Sequence, residues 1–376
     1  DLYSIQERGR IQGYMSSVWG LSSIVGPLAG GLVVHSIGWP WIFWVNIPFG
    51  IASIVLVAMY LHEGVEARRR SIDYAGAALL LACVGPLMLG LTQASAWGMG
   101  RVAPLFAVAA VALVLFLRQE RRAPDPLMHV ELWRNPLIRN ANLATLTSGI
   151  MMIGIITFLP TYVQGVLGGS ALLAGFALSA MTLGWPLSAF WAGHRIVHAG
   201  VRRLVRAGGV LVFAGTLVIA VLASRGAVPA GVGSFVLGVG LGFLNTTFIV
   251  AIQTSVSWTQ RGVATASNML MRILGSALGA ALFGGLLNWM MSNYLRREGL
   301  QDRVSLNSIQ ALMGEGGGRE LPADVMGLLR EGLSHSLHVV FWAIVAFAAV
   351  TMVAAWRVPE LRRDDEAPAP DAGAAA

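Results

Sequence analysis

The segment SSIVGPLAGG at residues 22–31 sets Ser22, Gly26 and Gly30 four residues apart. On an α-helix this spacing places the three small residues on one face, where a neighbouring helix can approach to backbone distance. Pro27 adds a bend in the same turn. The pattern is typical of close helix packing inside a membrane bundle. The spacing alone leaves open whether it serves more than packing.

This segment belongs to the first of ten long apolar stretches. Residues of the set AVILMFWYC make up 56% of the 376 residues, and charged residues only 12%. A spanning helix needs about 20 mainly apolar residues. The qualifying stretches are 11–35, 41–61, 74–94, 102–117, 140–165, 171–192, 207–224, 229–255, 262–290 and 336–356. None of them contains Asp or Glu. The composition predicts an all-α, polytopic membrane helix bundle in a lipid bilayer and excludes soluble enzymes and nucleic-acid readers.

The scarcity of certain residue types in the sequence excludes several kinds of site. All 26 basic residues are Arg, so the chain has no Lys for a phosphate-binding P-loop, which excludes an ATP-driven motor. Cys83 is the single cysteine and cannot form an internal disulfide. His194 and His198 share a helix face, but no third ligand lies near them in sequence. We therefore predict no metal site and no bound cofactor.

The arginines are distributed unevenly between the two sides of the membrane. With the first segment placed in the cytoplasm, 18 arginines fall on the cytoplasmic side and 7 on the outer side, and Arg272 alone lies within a stretch. This excess follows the positive-inside rule. It predicts a multi-pass protein of the cell (inner) membrane with both ends cytoplasmic and an even number of spans. The net charge of +7 then reflects orientation and not nucleic-acid binding.

The order of motifs along the chain resembles a known family. The pattern G-P-x-x-G-G at Gly26–Gly31 resembles the antiporter motif of major facilitator drug exporters. The segment WPWIFWVNIPFG at 39–50 is similar to their fourteen-helix branch, the EmrB/QacA-like drug:proton antiporters. The segments PTYVQ at 160–164 and RGVA at 261–264 agree with the same branch. Ser22 replaces the motif's usual leading Gly and is still small enough for the packing role.

The resemblance implies a division of the chain into four parts. The ten stretches would be helices five to fourteen of fourteen. Residues 1–61 would then be the last two helices of the N-terminal bundle, 62–139 a linker with two extra transmembrane helices, and 140–356 the C-terminal six-helix bundle. Residues 357–376 turn acidic and then Ala/Pro-rich, which predicts a disordered cytoplasmic tail.

The resemblance also implies a function, namely secondary active transport by alternating access. The expected activity is proton-coupled efflux of a small molecule, either amphipathic or cationic, with a proton gradient as the energy source and no cofactor. The resemblance does not indicate whether a periplasmic adaptor protein binds to the transporter. Antiport needs a carboxylate at membrane depth, and since the ten stretches have none, we expect it in helices outside this chain.

Two other functions remain as alternatives. An exporter of an endogenous metabolite or lipid would use the same fold. A membrane-embedded enzyme is disfavoured, because no stretch holds a clustered Ser/His/Asp or metal-binding set.

The family's cytoplasmic loop motif has a second copy between the sixth and seventh stretches. Gly193, Gly200, Arg202 and Arg203 match this motif, whereas Val197 stands where the family has an acid. In the family such loops hold neighbouring helices together on the cytoplasmic side. With the acid lost, the alternative is that the two arginines serve only as orientation charges.

Polar stripes within apolar stretches are candidates for a substrate pathway, which in such folds lies between two helical bundles. Two stretches carry a stripe on one helix face. The members are Thr157, Thr161 and Gln164 in the fifth stretch, and Asn245, Thr246 and Gln253 in the eighth. We predict that these side chains line the pathway. The alternatives are hydroxyls bonded to their own backbone and amides that join helices.

The ninth stretch contains Arg272, the most costly residue to place in a bilayer. It lies ten residues beyond Gly262, about 15 Å along a helix, and shares a face with Thr265, Asn268 and Ser276. We predict that Asn268 and Arg272 belong to the substrate pathway. The partner of the arginine would be a carbonyl, a water-filled cleft or an acid in helices outside this chain. The alternative is a side chain that extends to the cytoplasmic interface.

Overall fold

The computed structural model describes residues 41–60, 73–299 and 323–360, together with scattered positions between 11 and 40. The described residues form helices and contain no strand, which confirms the all-α membrane bundle. Nine of these helices are long and apolar enough to cross a membrane. They are α1 Trp41–Tyr60, α2 Tyr74–Trp97, α3 Met99–Glu120, α4 Pro136–Thr161, α5 Ala171–Ala199, α6 Val201–Leu222, α7 Ala227–Thr254, α8 Arg261–Arg297 and α9 Ala323–Trp356. A short π-helical segment, Tyr162–Val166, continues α4.

These nine helices confirm nine of the ten predicted stretches. Most of the first stretch, 11–35, lies outside the described residues. Ser22 and Gly26 are described and helical, and no described atom lies within 4 Å of a Cβ built on Gly26. The motif residues outside the described part are Pro27, Gly30 and Gly31. The packing role of this face therefore stays a prediction.

Several helices are longer than the apolar stretches from which they were predicted. α3 continues past residue 117 to Glu120, and α9 begins at Ala323, well before residue 336. Backbone hydrogen bonds carry a helix beyond the hydrocarbon layer of the bilayer wherever no sequence signal stops it. Glu120 and Glu331 consequently lie inside helices, although the apolar stretches contain no acid. Glu120 is 3% exposed, and its Oε2 accepts a hydrogen bond from the backbone N–H of Met128 at 2.6 Å.

Polar side chains and glycines fix where several helices begin and end. Asp73, Asn135 and Ser170 precede α2, α4 and α5, and each side-chain oxygen accepts a hydrogen bond from a backbone N–H in the first turn. Gly200 separates α5 from α6 with a φ of 78°, a left-handed value that favours glycine. These helix bounds follow local signals in the sequence.

Helices α4 to α9 pack around one large buried core. α7 lies between α5 and α6, and glycines let the backbones meet there. A Cβ on Gly238 of α7 would collide with Met181 of α5, and one on Gly215 of α6 would collide with Leu237 of α7. Elsewhere in the bundle α4 packs against α8, and α9 covers α4 and α6. α8 therefore contacts the bundle mainly through α4.

The two helices of the predicted linker form a hairpin. α2 and α3 pack against each other, and α2 contacts α8 where Gly285 lies against Leu91. α1 has no buried residue in the described part of the chain. The division of the chain into four parts stays a prediction, and residues 61–72 and 361–376 lie outside the described ones.

Candidate functional site

The polar stripe predicted on α8 lies in the groove between two helices. Asn268 and Ser276 hydrogen-bond to α4, whereas Thr265 and Arg272 hydrogen-bond to α7. The four residues are three or four positions apart and so occupy one broad face. α8 therefore has an α4 side and an α7 side, each with its own set of polar contacts.

The polar contact with α4, which we call the α4–α8 seam, consists of Asn142, Thr145, Ser267 and Asn268. The Nδ2 of Asn268 donates to Asn142 Oδ1 and to Thr145 Oγ1, each at 3.0 Å. All four side chains are buried. Leaving a buried polar group without its partner costs about 1–3 kcal/mol. This network therefore holds α4 against α8.

Two glycines bring α4 and α8 to backbone distance at this seam. A Cβ on Gly275 would collide with the carbonyl oxygen of Leu146, and one on Gly149 would collide with the carbonyl oxygen of Arg272. The obstructing atoms belong to the backbone, so a larger residue can enter only if a helix moves. The glycines thus set the spacing at which the polar side chains meet.

The polar contact with α7, which we call the α7–α8 seam, consists of Asn245, Gln253, Thr265 and Arg272. Arg272 Nη1 donates to Asn245 Oδ1 at 3.1 Å, and Gln253 Nε2 donates to Thr265 Oγ1 at 3.4 Å. At the end of the seam where α8 begins, Arg261 Nε donates to the backbone oxygen of Gln253 at 2.9 Å. The four side chains of the seam are half-buried. This side of α8 combines a charge with partial exposure.

Arg272 meets its partner well inside the helices. It lies eleven residues after the start of α8 at Arg261, about 16 Å along the helix, and Asn245 lies about 14 Å before the end of α7 at Thr254. Among the described residues, one of the partners predicted for Arg272 is found, a carbonyl oxygen, and the Asn245 amide supplies it. Extension of the side chain to the cytoplasmic interface is not the conformation found.

The predicted stripe on α4 lies apart from this seam. Thr161 Oγ1 donates to the backbone oxygen of Thr157 at 2.9 Å, and Gln164 Nε2 donates to that of Pro160 at 3.4 Å. The Thr161 bond is of the kind named as an alternative for hydroxyls, whereas the Gln164 amide bonds its own helix and does not join two helices. Within the described residues no hydrogen bond joins the stripe to Arg272.

Two further predicted pathway residues are buried between helices. Thr246 is 1% exposed and Asn268 is 4% exposed, so neither side chain faces open space in this conformation. Their place in a pathway stays a prediction. The sequence reasoning missed Asn142 and Thr145, although polar residues recur along 140–148 at the start of an apolar helix.

An all-helical bundle of membrane-length helices with polar seams is compatible with several transporter folds, and sequence comparison decides between them. Residues 1–280 match the family described as the Major Facilitator Superfamily. The chain belongs to this superfamily. It is accordingly a multi-pass membrane protein of the transporter type.

Two relatives from Bacillus subtilis (strain 168) resemble this major facilitator chain over most of its length. Multidrug transporter protein MdtP is 26% identical over 381 residues, which cover 94% of this chain and 70% of the relative. Multidrug resistance protein 3 is 28% identical over 368 residues, which cover 94% and 72%. A crystal structure of a bacterial homolog to the human lysosomal transporter Spinster, inward-facing and occupied, aligns with a TM-score of 0.43 at 18% identity and covers 78% of this chain and 69% of that one.

Two arginines at the start of α6, Arg202 of the predicted loop motif and Arg206, contact the segment at the end of α9. Arg202 Nη1 lies 3.3 Å from Glu360 Oε2. Arg206 Nη2 donates to the backbone oxygen of Trp356 at 3.1 Å, and its guanidinium lies 5.6 Å from the centroid of the Trp356 ring. Arg202 therefore has an acidic partner in Glu360. Whether the two arginines of the motif hold helices together or serve only as orientation charges stays a prediction.

The other members of the motif lie on α5 and α6. Gly193 is buried within α5, Gly200 forms the turn before α6, and Arg203 is exposed. His194 Nδ1 lies 2.8 Å from the backbone oxygen of Phe190, one turn earlier in α5. Among the residues that the structure describes, no three His, Cys, Asp or Glu side chains lie close enough to hold a metal ion.

Proposed function

We propose that this chain is the greater part of a secondary transporter that exports small amphipathic molecules by alternating access. The observation that carries the proposal is the hydrogen bond between Arg272 and Asn245, both half-buried inside membrane-length helices. Polar and charged side chains are costly at this depth in lipid, and they mark places where a bundle encloses an aqueous path. The relatives named as a multidrug transporter and a multidrug resistance protein support export.

The finer assignment is to the fourteen-helix branch of drug:proton antiporters. The chain covers 70% and 72% of the length of the two Bacillus relatives. Helices five to fourteen of a fourteen-helix transporter would make up about the same share of its length. On this assignment residues 140–356 form the C-terminal bundle, and the α7–α8 seam faces the path between the two bundles.

Proton exchange is proposed to use a carboxylate in helices outside this chain. The acids within α1 to α9 are Glu120, Asp324 and Glu331, and all three lie outside the predicted apolar stretches. Coupling needs a carboxylate at membrane depth for which proton and substrate compete. The proton gradient supplies the energy without a cofactor. The excess of cytoplasmic arginines supports an inner-membrane protein with both ends in the cytoplasm.

Dye uptake into everted membrane vesicles tests this function. The full-length transporter that contains this chain is expressed in a host without its own drug exporters, and accumulation of a fluorescent amphipathic dye is followed under an applied proton gradient. Arg272→Ala should lower the initial rate about tenfold, because the seam loses its charge and its hydrogen bond to Asn245. Arg225→Ala removes an exposed arginine after α6 and serves as the matched control.

Two results would contradict the proposal. An unchanged rate in Arg272→Ala, at equal protein level in the membrane, would exclude the seam from the path. A rate that survives collapse of the proton gradient would exclude proton coupling while leaving transport itself in place.

A further inference from the structure

We infer that the α7–α8 seam binds the anionic group of an amphipathic substrate, with Arg272 as the contact residue. The group would be a carboxylate, sulfonate or phosphate attached to an apolar body. This inference rests on the proposed function, because it names the chemistry of the molecule that the same path carries. It departs from the cationic substrates that the family resemblance includes.

Among the described residues, Arg272 forms no ion pair with an acid. It bonds to a neutral amide oxygen, and the acids of α1 to α9 lie outside the predicted apolar stretches. An uncompensated charge at membrane depth is costly, and a ligand of opposite sign lowers that cost. A cationic substrate would raise the cost through like-charge repulsion.

Asn245 holds the guanidinium in a defined orientation. The Nδ2 of Asn245 donates to the backbone oxygen of Leu241 at 3.0 Å, so its Oδ1 is turned towards Arg272. A guanidinium has five N–H donors in one plane. The bond to Asn245 uses one of them, and two of the others can bind both oxygens of an anion side by side. The site is therefore oriented before the substrate arrives.

The guanidinium is also accessible. Arg272 and Asn245 are half-buried, whereas Asn268, one turn earlier on α8, is 4% exposed and bonds two partners on α4. An arginine exposed to hydrocarbon would be strongly unfavourable, so the exposed part of Arg272 is assigned to a polar path. A substrate in that path reaches Arg272 without disrupting the buried α4–α8 seam.

Two dyes that differ in one carboxylate test the inference. Rhodamine B has a free carboxylate, and rhodamine B ethyl ester does not. Export of each is measured in everted vesicles with the full-length transporter, and the KM values are compared. The wild type should have a KM about tenfold lower for rhodamine B, because a charge-assisted hydrogen bond favours the carboxylate.

Variants of the seam sharpen this test. Arg272→Gln should remove the preference for rhodamine B, Arg272→Lys should keep part of it, and the exposed control Arg225→Gln should keep all of it. Asn245→Asp places a carboxylate against the guanidinium and should also remove the preference, without loss of protein from the membrane. Asn245→Asp keeps the volume of the side chain, and its carboxylate neutralises the charge of Arg272.

The outcomes separate this inference from the proposed function. Export of the ester with an equal or lower KM in the wild type would overturn the inference and leave the function in place. An equal loss of both dyes in Arg272→Gln would overturn it as well. Thermal unfolding of the purified full-length protein measures binding independently of export. Stabilisation by rhodamine B in the wild type but not in Arg272→Gln would support the anion site. If neither dye is exported in that case, the result contradicts only the proposed function.

Discussion

The two sides of α8 use an asparagine in different ways. Towards α4, Asn268 is 4% exposed and donates to two buried side chains. Towards α7, Asn245 is half-buried and accepts one hydrogen bond from Arg272 at 3.1 Å. Glycine contacts close the α4 side to backbone distance, whereas the α7 side keeps an accessible charge. The same helix thus takes part in one closed contact and one open contact.

This difference indicates which contact holds the bundle together and which can exchange partners. A buried polar network loses about 1–3 kcal/mol for each group left unpaired, so the α4–α8 seam should stay closed during transport. A half-buried hydrogen bond can exchange with water at little cost, so the α7–α8 seam can open to a substrate. Alternating access needs both a rigid unit and an adjustable surface.

The largest effect should come from adding a methyl group to the closed side. Gly275→Ala puts a Cβ against the backbone of Leu146, and we expect the free energy of unfolding to fall by about 2 kcal/mol. Thermal unfolding of the purified protein measures this loss. Gly284→Ala on the same helix is the matched control, because a Cβ there meets no described atom within 4 Å. Equal stability of the two variants would show that the glycines do not set the α4–α8 distance.

The two asparagines allow the same substitution on both sides. Asn268→Ala removes the donor that Asn142 Oδ1 and Thr145 Oγ1 share and should lower the free energy of unfolding by about 1–2 kcal/mol. Asn245→Ala should lower it by less than about 1 kcal/mol, because water can reach Arg272. Thermal unfolding and dye export are measured on both variants.

The difference between the two seams predicts that Asn268→Ala and Asn245→Ala rank in opposite order in thermal unfolding and in dye export. Asn268→Ala should be the less stable variant, and Asn245→Ala should be the one that loses the preference for the carboxylate dye. A stability loss that is larger for Asn245→Ala would mean that the α7 side is the structural contact.

The sequence was sufficient to predict the helices and the polar stripe on α8, because both follow from local periodicity. Polar residues three or four positions apart in an apolar helix must share a face. The sequence could not show that this face divides between two helices, since the division depends on where Gly149 and Gly275 bring α4 and α8 together. It also could not pair Arg272 with Asn245, because 27 positions separate them.

Helix bounds were less predictable for a different physical reason. Apolar content reports the thickness of the hydrocarbon layer, whereas the length of a helix depends on its backbone hydrogen bonds and caps. α9 therefore begins at Ala323 and not at residue 336, and α3 reaches Glu120. Asp73 and Asn135 cap the starts of α2 and α4, and apolar content does not report such caps.

The smallest effect should come from the second contact of the open side. Gln253 Nε2 donates to Thr265 Oγ1 at 3.4 Å, a long bond between half-buried side chains. In a double-mutant cycle with Gln253→Ala and Thr265→Val, thermal unfolding should give a coupling energy of about 0.5 kcal/mol or less. A coupling as large as the loss in Asn268→Ala would contradict the distinction between the two seams. It would mean that α7 and α8 are fixed to each other as firmly as α4 and α8, and a substrate could then reach Arg272 only if the whole bundle rearranged.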